Sequence, residues 1–486
     1  MVVRVELTCG TSTFCRGDCV VGDACHDAHV TTTTPARLRE VAEAGWRWVL
    51  DQVRWADGPW IPASVPVDNA VGPEAGDDEE PPSNDYRDGL YDGIGGLAPV
   101  LAEVRSTREW THEETELAGG IADRLRTQIP VVSDVSFFDG LSGMVGALVA
   151  LDEPGADTAV RRMLDTVEPD GWPPGTPLST RAYQPRARVN DVTLGTASAL
   201  LAGVWAIRCN ISGARALTDR AADILLAEAE VEPPGLNWRM VSQRFTLGAP
   251  TQMPNWSHGL AGIAAGLALA GAELDRNDLV AAARRGAEHL VSLGDTSDGG
   301  LMVPLAIPPA DPAKVDPFSY GWCHGPTGTS LLFIALDRAG VAEISGEPTM
   351  SWYARGRHSV RTSGLPDRLR PGFWDNDGRC CGTAGVGDAF LDAWTRAADE
   401  ADLAFAVRLG EALVDRAVEA DGRAYWRFIE HRKPEPLLPP GVGWMQGAAG
   451  IAAYLFHLAR VLDVGRDAAA VPRMETWWAV DPGPKR

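Results

Sequence analysis

A short turn of the form Gly-x-x-Gly or Gly-x-x-Ser recurs seven times in this chain: Gly93 with Gly96, Gly140 with Gly143, Gly195 with Ser198, Gly259 with Gly262, Gly325 with Gly328, Gly382 with Gly385, and Gly447 with Gly450. A period of this kind means that one supersecondary unit is reused, and that no unit buries its apolar face without its neighbours. After each turn comes a run of small and aliphatic residues. Residues 260–270 and 448–456 are examples, apolar nearly all round, as helices buried on every side are. Between these runs lie stretches with one charged face at helical spacing: 35–55, 113–128, 158–167, 214–230, 277–293, 353–362 and 399–420. No run alternates with the period of a strand.

Seven amphipathic helices alternating with seven buried ones predict an all-α fold, an α/α toroid. The buried helices form an inner barrel and the amphipathic ones an outer barrel facing water. Glycine at the start of each inner helix lets backbones approach closely and turn sharply. If every inner helix begins at its glycine, the residues just before the glycines share one rim. His258, His324 and Cys381 each directly precede a turn glycine, and Cys323 and Cys380 stand one place earlier. Repeats four, five and six are neighbours in the ring, so these side chains converge. The positive ends of the inner helices point at the same rim, which favours thiolates and developing oxyanions.

Chemistry enters with the cysteines. Trp322-Cys323-His324-Gly325 and Cys380-Cys381-Gly382 place three thiols on two of these turns. Three sulfur ligands around zinc leave the fourth tetrahedral position for a substrate. Buried cysteines often act only as small hydrophobes. Two adjacent ones cannot both point into one core pocket, which favours the metal. Cys209, alone on an apolar helix, reads as core. Cys9, Cys15, Cys19 and Cys25, with His26 and His29, crowd an N-terminal extension spanning residues 1–34, expected to lie outside the toroid of residues 35–486. A second metal site or a tethered substrate is the alternative reading of that extension. Residues 57–86, rich in proline and acid, read as a loop, as do 172–175 and 304–317.

The formal net charge is −22 over 486 residues, a field that repels phosphates and argues against nucleic acid and anionic membrane as partners. No signal-peptide core and no membrane-spanning segment is read from the sequence, so no membrane insertion is expected. Unpaired thiols in metal-like spacing suit the cytoplasm.

With these residues in view, the chain resembles the lanthionine synthetase C-like family, the LanC cyclases, from about Pro35 through the last repeat. The resemblance implies a seven-fold double helical toroid with catalytic zinc. It implies addition of a peptide cysteine thiol to dehydroalanine or dehydrobutyrine, closing a (methyl)lanthionine thioether ring; related members add glutathione instead. By position, Cys323 in Gly-Trp-Cys-His-Gly is similar to the family's first zinc ligand and Cys380 to its second. Cys381 stands where many members carry histidine, which resembles the three-cysteine branch. His258 in Asn-Trp-Ser-His-Gly and Asp191 in Asn-Asp-Val match the family's catalytic histidine and aspartate. Two positions depart: His324 stands where bacterial cyclases often have tyrosine, and Ser319 where they carry arginine. Arg379 and Arg188 are candidate replacements.

The expected partner is a dehydrated precursor peptide, supplied by a separate dehydratase and passed to a transporter, because no dehydratase region is read in the chain. His258 is the expected general acid or base, Asp191 its orienting carboxylate, and His324 a second acid. Asp92 and Asp139, at the same rim position in repeats one and two, are expected either to cap inner helices or to recognise a basic group. Three other classes stay open: a glutathione transferase acting on dehydroamino acids; a zinc-bearing peptide scaffold without activity; and a toroidal glycosidase using Asp92 with Asp139, or Asp375 with Asp377.

Overall fold

The computed structural model describes residues 33–66, 84–175, 178–249, 251–309, 311, 316–367, 376–428 and 437–480. The cysteines of the N-terminal extension, Asp375 and the middle of the proline-rich loop lie outside the described residues. Seven inner helices run Leu97–Arg105, Leu141–Leu151, Thr196–Arg208, Leu260–Leu274, Leu331–Arg338, Thr383–Ala397 and Ala448–Val464. The outer seven are Pro35–Asp51, His112–Gln128, Ala156–Thr166, Ala214–Ala227, Asn277–Leu293, Thr349–Arg361 and Glu400–Arg416. Each inner helix packs on the outer helix that follows it, and the last inner helix packs on the first outer one, which closes the ring.

The inner helices keep nearly every side chain from water. From Leu260 to Gly271 every residue is buried, and so is every residue from Ala448 to Val461. Residues 448–467 reach membrane-spanning length and hydropathy, contrary to the sequence reading, but 78% of that window is buried inside the barrel. Three of the outer helices are capped by side-chain oxygens, those of Thr34, Thr111 and Asp399.

Inner helices are capped differently. The loop before each turn folds back over the helix start, and its carbonyls accept the first helical N–H groups. Leu141 donates to Asp134 at 2.8 Å, Thr196 to Val189 at 2.9 Å and Ala448 to Gly441 at 2.9 Å. The glycines answer to this close approach. Gly195 and Gly259 have φ of −132° and −171°, extended values open to any residue. A Cβ at Gly195 would sit 2.2 Å from the Val189 carbonyl oxygen, and one at Gly259 2.1 Å from that of Met253. The sharp turn read into the sequence is therefore a crowded one. Where repeat three carries serine instead of the second glycine, the Ser198 hydroxyl converts the approach into a hydrogen bond to Val192 O at 3.0 Å.

Among the described residues, four short antiparallel hairpins stand beside the helices although no run alternates with a strand's period: Arg54–Trp55 with Pro59–Trp60, Glu230–Glu232 with Gly235–Asn237, Glu343–Ile344 with Glu347–Pro348, and Val418–Ala420 with Arg423–Tyr425. They explain why the expected outer helices at 35–55, 214–230 and 399–420 run too far. Three of these hairpins turn on Asp57-Gly58, Ser345-Gly346 and Asp421-Gly422, with positive φ at both residues, the geometry of tight hairpin turns.

Candidate metal centre

The residue two places before each turn glycine links one rim loop to the next. Ser257 N donates to Cys323 O at 2.9 Å, Cys323 N to Cys380 O at 3.2 Å, Cys380 N to Met445 O at 3.1 Å and Met445 N to Tyr91 O at 3.0 Å. Leu90 to Phe138 and Phe137 to Thr193 continue the circle. Between loops three and four the described junction is made by side chains: His258 Nδ1 meets Asp191 Oδ2 at 2.7 Å, and Thr193 Oγ1 reaches Ser257 O at 3.4 Å. Register thus brings the thiols and the histidine–aspartate pair to one rim.

Cys323 and Cys380 are buried and Cys381 is half-buried. Cys323 Sγ lies 3.1 Å from Cys381 Sγ, and Cys381 Sγ 3.5 Å from Cys380 Sγ, with all three sulfurs within 4.8 Å of one another. These thiols are free; a disulfide would need about 2.05 Å. Sulfurs at tetrahedral angles around zinc, ~2.3 Å from it, are about 3.8 Å apart, close to what the two loops already hold. Hydrogen bonds from the Cys323 and Cys381 thiols, and then the Tyr91 hydroxyl, hold the Cys380 thiol well below the usual thiol range against the cost of burial. Three sulfurs gathered in this way could hold a metal ion.

Asp191 is fully buried, and its Oδ1 accepts the backbone N–H groups of Thr193 at 3.1 Å and Leu194 at 2.7 Å. That fixes the carboxylate and leaves Oδ2 for His258. Burial pulls the His258 pKa down, but the hydrogen bond and charge of Asp191 outweigh it, and the net shift is upward. His324 faces His258 with ring centroids 5.3 Å apart; burial first, then the charge of His258, push its pKa down to about 4.

The N-cap residues are Gly93 and Gly140, so Asp92 and Asp139 stand one place outside the cap position. Burial, then the charges of Asp139 and Cys380, raise the Asp92 pKa to about 7. Arg379 turns inward onto Asp388 at 2.5 Å, and Arg188 pairs with Glu168, so each candidate for the arginine replaced by Ser319 has a partner elsewhere. Asp377 binds Arg416 at 2.6 Å. The sequence reading missed Tyr91, beside Cys380, and Gln446, whose Nε2 donates to the Tyr91 hydroxyl at 3.0 Å. Both hold rim positions in repeats one and seven, so the same register that found Cys323 would have found them.

Residues 84–462 match the family described as lanthionine synthetase C-like protein. Among solved structures, nisin cyclase aligns with a TM-score of 0.50 at 14% identity, over 76% of this chain and 88% of that one. A cellobiose 2-epimerase from Spirochaeta thermophila aligns with a TM-score of 0.45 at 15% identity, over 88% and 96%. The first likeness, at that identity, carries the toroid alone. No curated protein matches in sequence.

Proposed function

This chain belongs to the lanthionine synthetase C-like family, and from that premise we propose that it is a zinc-dependent lanthipeptide cyclase that adds peptide cysteine thiols to dehydroalanine and dehydrobutyrine. The observation that carries the reading is the convergence of three free sulfurs within 4.8 Å of one another at the rim that also holds the His258–Asp191 pair. Cys323, Cys380 and Cys381 would hold the ion. Bound there, zinc would lower the pKa of an incoming thiol so that it reacts as a thiolate near neutral pH.

The protein's own groups manage the proton. Asp191 engages His258 Nδ1, so Nε2 is the nitrogen that faces the reaction. His258 takes the proton that the substrate thiol releases. The sulfur attacks the β-carbon, the double-bond pair moves onto the α-carbon and its carbonyl, and His258 returns the proton to the α-carbon. Atoms and charge balance, and the histidine ends as it began. His324 stands beside it, ring centroid 5.3 Å from that of His258, as the second candidate acid. The inner-helix N-termini beneath the rim favour the developing enolate. The substrate peptide arrives dehydrated by another protein, in the cytoplasm.

The test supplies a dehydrated, cysteine-containing peptide and counts free thiols by N-ethylmaleimide labelling, because ring closure leaves the mass unchanged. Loss of labelling without mass gain supports cyclisation. A glutathione-sized mass gain in the presence of glutathione would move the reading to thiol transfer. Full labelling with metal-loaded protein would sink both.

A further inference from the structure

Neighbouring inner helices pack on one another around the ring, but one seam is built differently. Between repeat five, Leu331–Arg338, and repeat six, Thr383–Ala397, sits a short helix from the C-terminal tail, Trp477–Val480, which packs on both. These two repeats carry the three thiols. A cavity of about 40 Å³ lies along the same seam, lined by Trp322, Arg379, Asp388 and Arg473 among others.

The tail reaches both thiol loops from below, in each case through the residue directly before a cysteine. On the repeat-six side, Arg473 is 7% exposed and binds Asp388 Oδ2 and Asp392 Oδ2, each at 3.0 Å. Asp388 Oδ2 is shared with Arg379, the residue before Cys380. On the repeat-five side, Trp478 is fully buried and donates its indole N–H to Leu331 O at 3.2 Å. Its ring lies 5.7 Å from that of Trp256, which lies 6.3 Å from that of Trp322, the residue before Cys323. Three places before the turn glycine, the loops carry Leu90, Phe137, Val192, Trp256, Trp322, Arg379 and Trp444. Repeat six alone puts a charge there, and the tail shares its counter-ion.

We propose that the C-terminal segment is a wedge that sets the spacing of the thiol loops, with Trp478 and Arg473 as positioning residues for Cys323, Cys380 and Cys381. This rests on the metal-centre reading, but the geometry it invokes exists without metal. Packed interiors transmit displacement because they have few voids to absorb it. Shrinking Trp478 therefore frees the repeat-five loop to move relative to repeat six.

The experiment compares full-length wild type with Trp478→Ala, Trp478→Phe and Trp172→Ala, the last an equally buried tryptophan placed elsewhere in the fold. Two readouts are taken. Iodoacetamide labelling of metal-free protein, mapped by mass spectrometry, follows Cys323, Cys380 and Cys381, with half-buried Cys209 as internal reference. Cobalt(II) titration follows the thiolate charge-transfer band. Trp478→Ala is expected to raise labelling at the three rim thiols about tenfold relative to Cys209 and to weaken cobalt binding about tenfold. Trp478→Phe, which keeps a ring in the seam, should restore most of both, and Trp172→Ala should change neither. If Trp478→Ala does not fold, Trp478→Leu is read in its place. Unchanged labelling, a parallel rise at Cys209, or the same effect from Trp172→Ala would overturn the proposal. Wild type that binds no cobalt would remove the metal reading and leave the labelling to decide the wedge.

Discussion

Among the described residues, two clusters bring three metal-ligating side chains within 4.8 Å of one another: Cys323, Cys380 and Cys381 at the rim, and Asp388, Asp392 and His457 inside the barrel. Proximity does not separate them; their charge partners do. The interior cluster already has its cations, because Asp388 binds Arg379 and Arg473, Asp392 binds Arg473, and Arg460 with Glu103 extends the network. Burial opposes ionisation of Asp388, yet Arg473 and Arg379 hold its pKa well below the usual carboxylate range, while burial pushes Asp392 up to about 7. A divalent ion placed there would have to displace guanidinium groups. At the rim the groups that act on the Cys380 thiol are the other two thiols, the Tyr91 hydroxyl and His324 rather than guanidinium groups. Ligand geometry names candidates, and the charge already present selects between them.

The sharpest way to break this contrast is to remove one rim sulfur. Cys380→Ala should abolish stoichiometric zinc and all thioether formation, read by metal analysis after gel filtration and by thiol labelling of product. Retained stoichiometric zinc would mean that the interior cluster, or another site, holds the ion. His258→Asn should keep the zinc and lower turnover by about 10²- to 10⁴-fold, the usual range for a lost general acid–base group.

Asp388→Asn probes the other side of the comparison. Breaking a buried ion pair from one partner costs about 3–5 kcal/mol. The urea midpoint should fall and, because Asp388 holds Arg379 beside Cys380, zinc affinity should weaken while the bound ion keeps its sulfur shell; an oxygen and nitrogen shell lost with Asp388 would instead make the interior a metal site. The smallest effect is a shift in pH dependence. Asp191 raises the His258 pKa, so imidazolium is present up to a higher pH in wild type and is lost as pH rises through that value. Because His258 must be neutral to take the thiol proton, Asp191→Asn should move the acid limb of the turnover profile to lower pH. An unmoved limb would separate the limb from His258.

Much of the rim was legible from sequence because a repeat converts spacing into position. Once Gly259, Gly325 and Gly382 are set at helix starts, His258, Cys323, Cys380 and Cys381 have to share a rim, and the structure brings them there. Asp191 falls four residues before its glycine and was reached through the family resemblance. Its grip on His258 depends on a turn that fixes its other oxygen on Thr193 and Leu194. The tail was not legible. Arg473, Trp477 and Trp478 follow the last repeat, outside the period, and only packing shows that they fill a seam. The hairpins escaped for a local reason, since strands of two or three residues show no alternation. Asp57-Gly58 and Asp421-Gly422 were nevertheless there to be read as turns.

The most direct test of the account is zinc K-edge X-ray absorption on the purified full-length protein, with Cys380→Ala as the comparison. The account predicts about one zinc per chain in a four-coordinate shell with three sulfur neighbours at ~2.3 Å and one exchangeable position, and loss of that signal in the variant. A shell of oxygen and nitrogen, a sulfur signal that survives in Cys380→Ala, or protein that never retains zinc would contradict it.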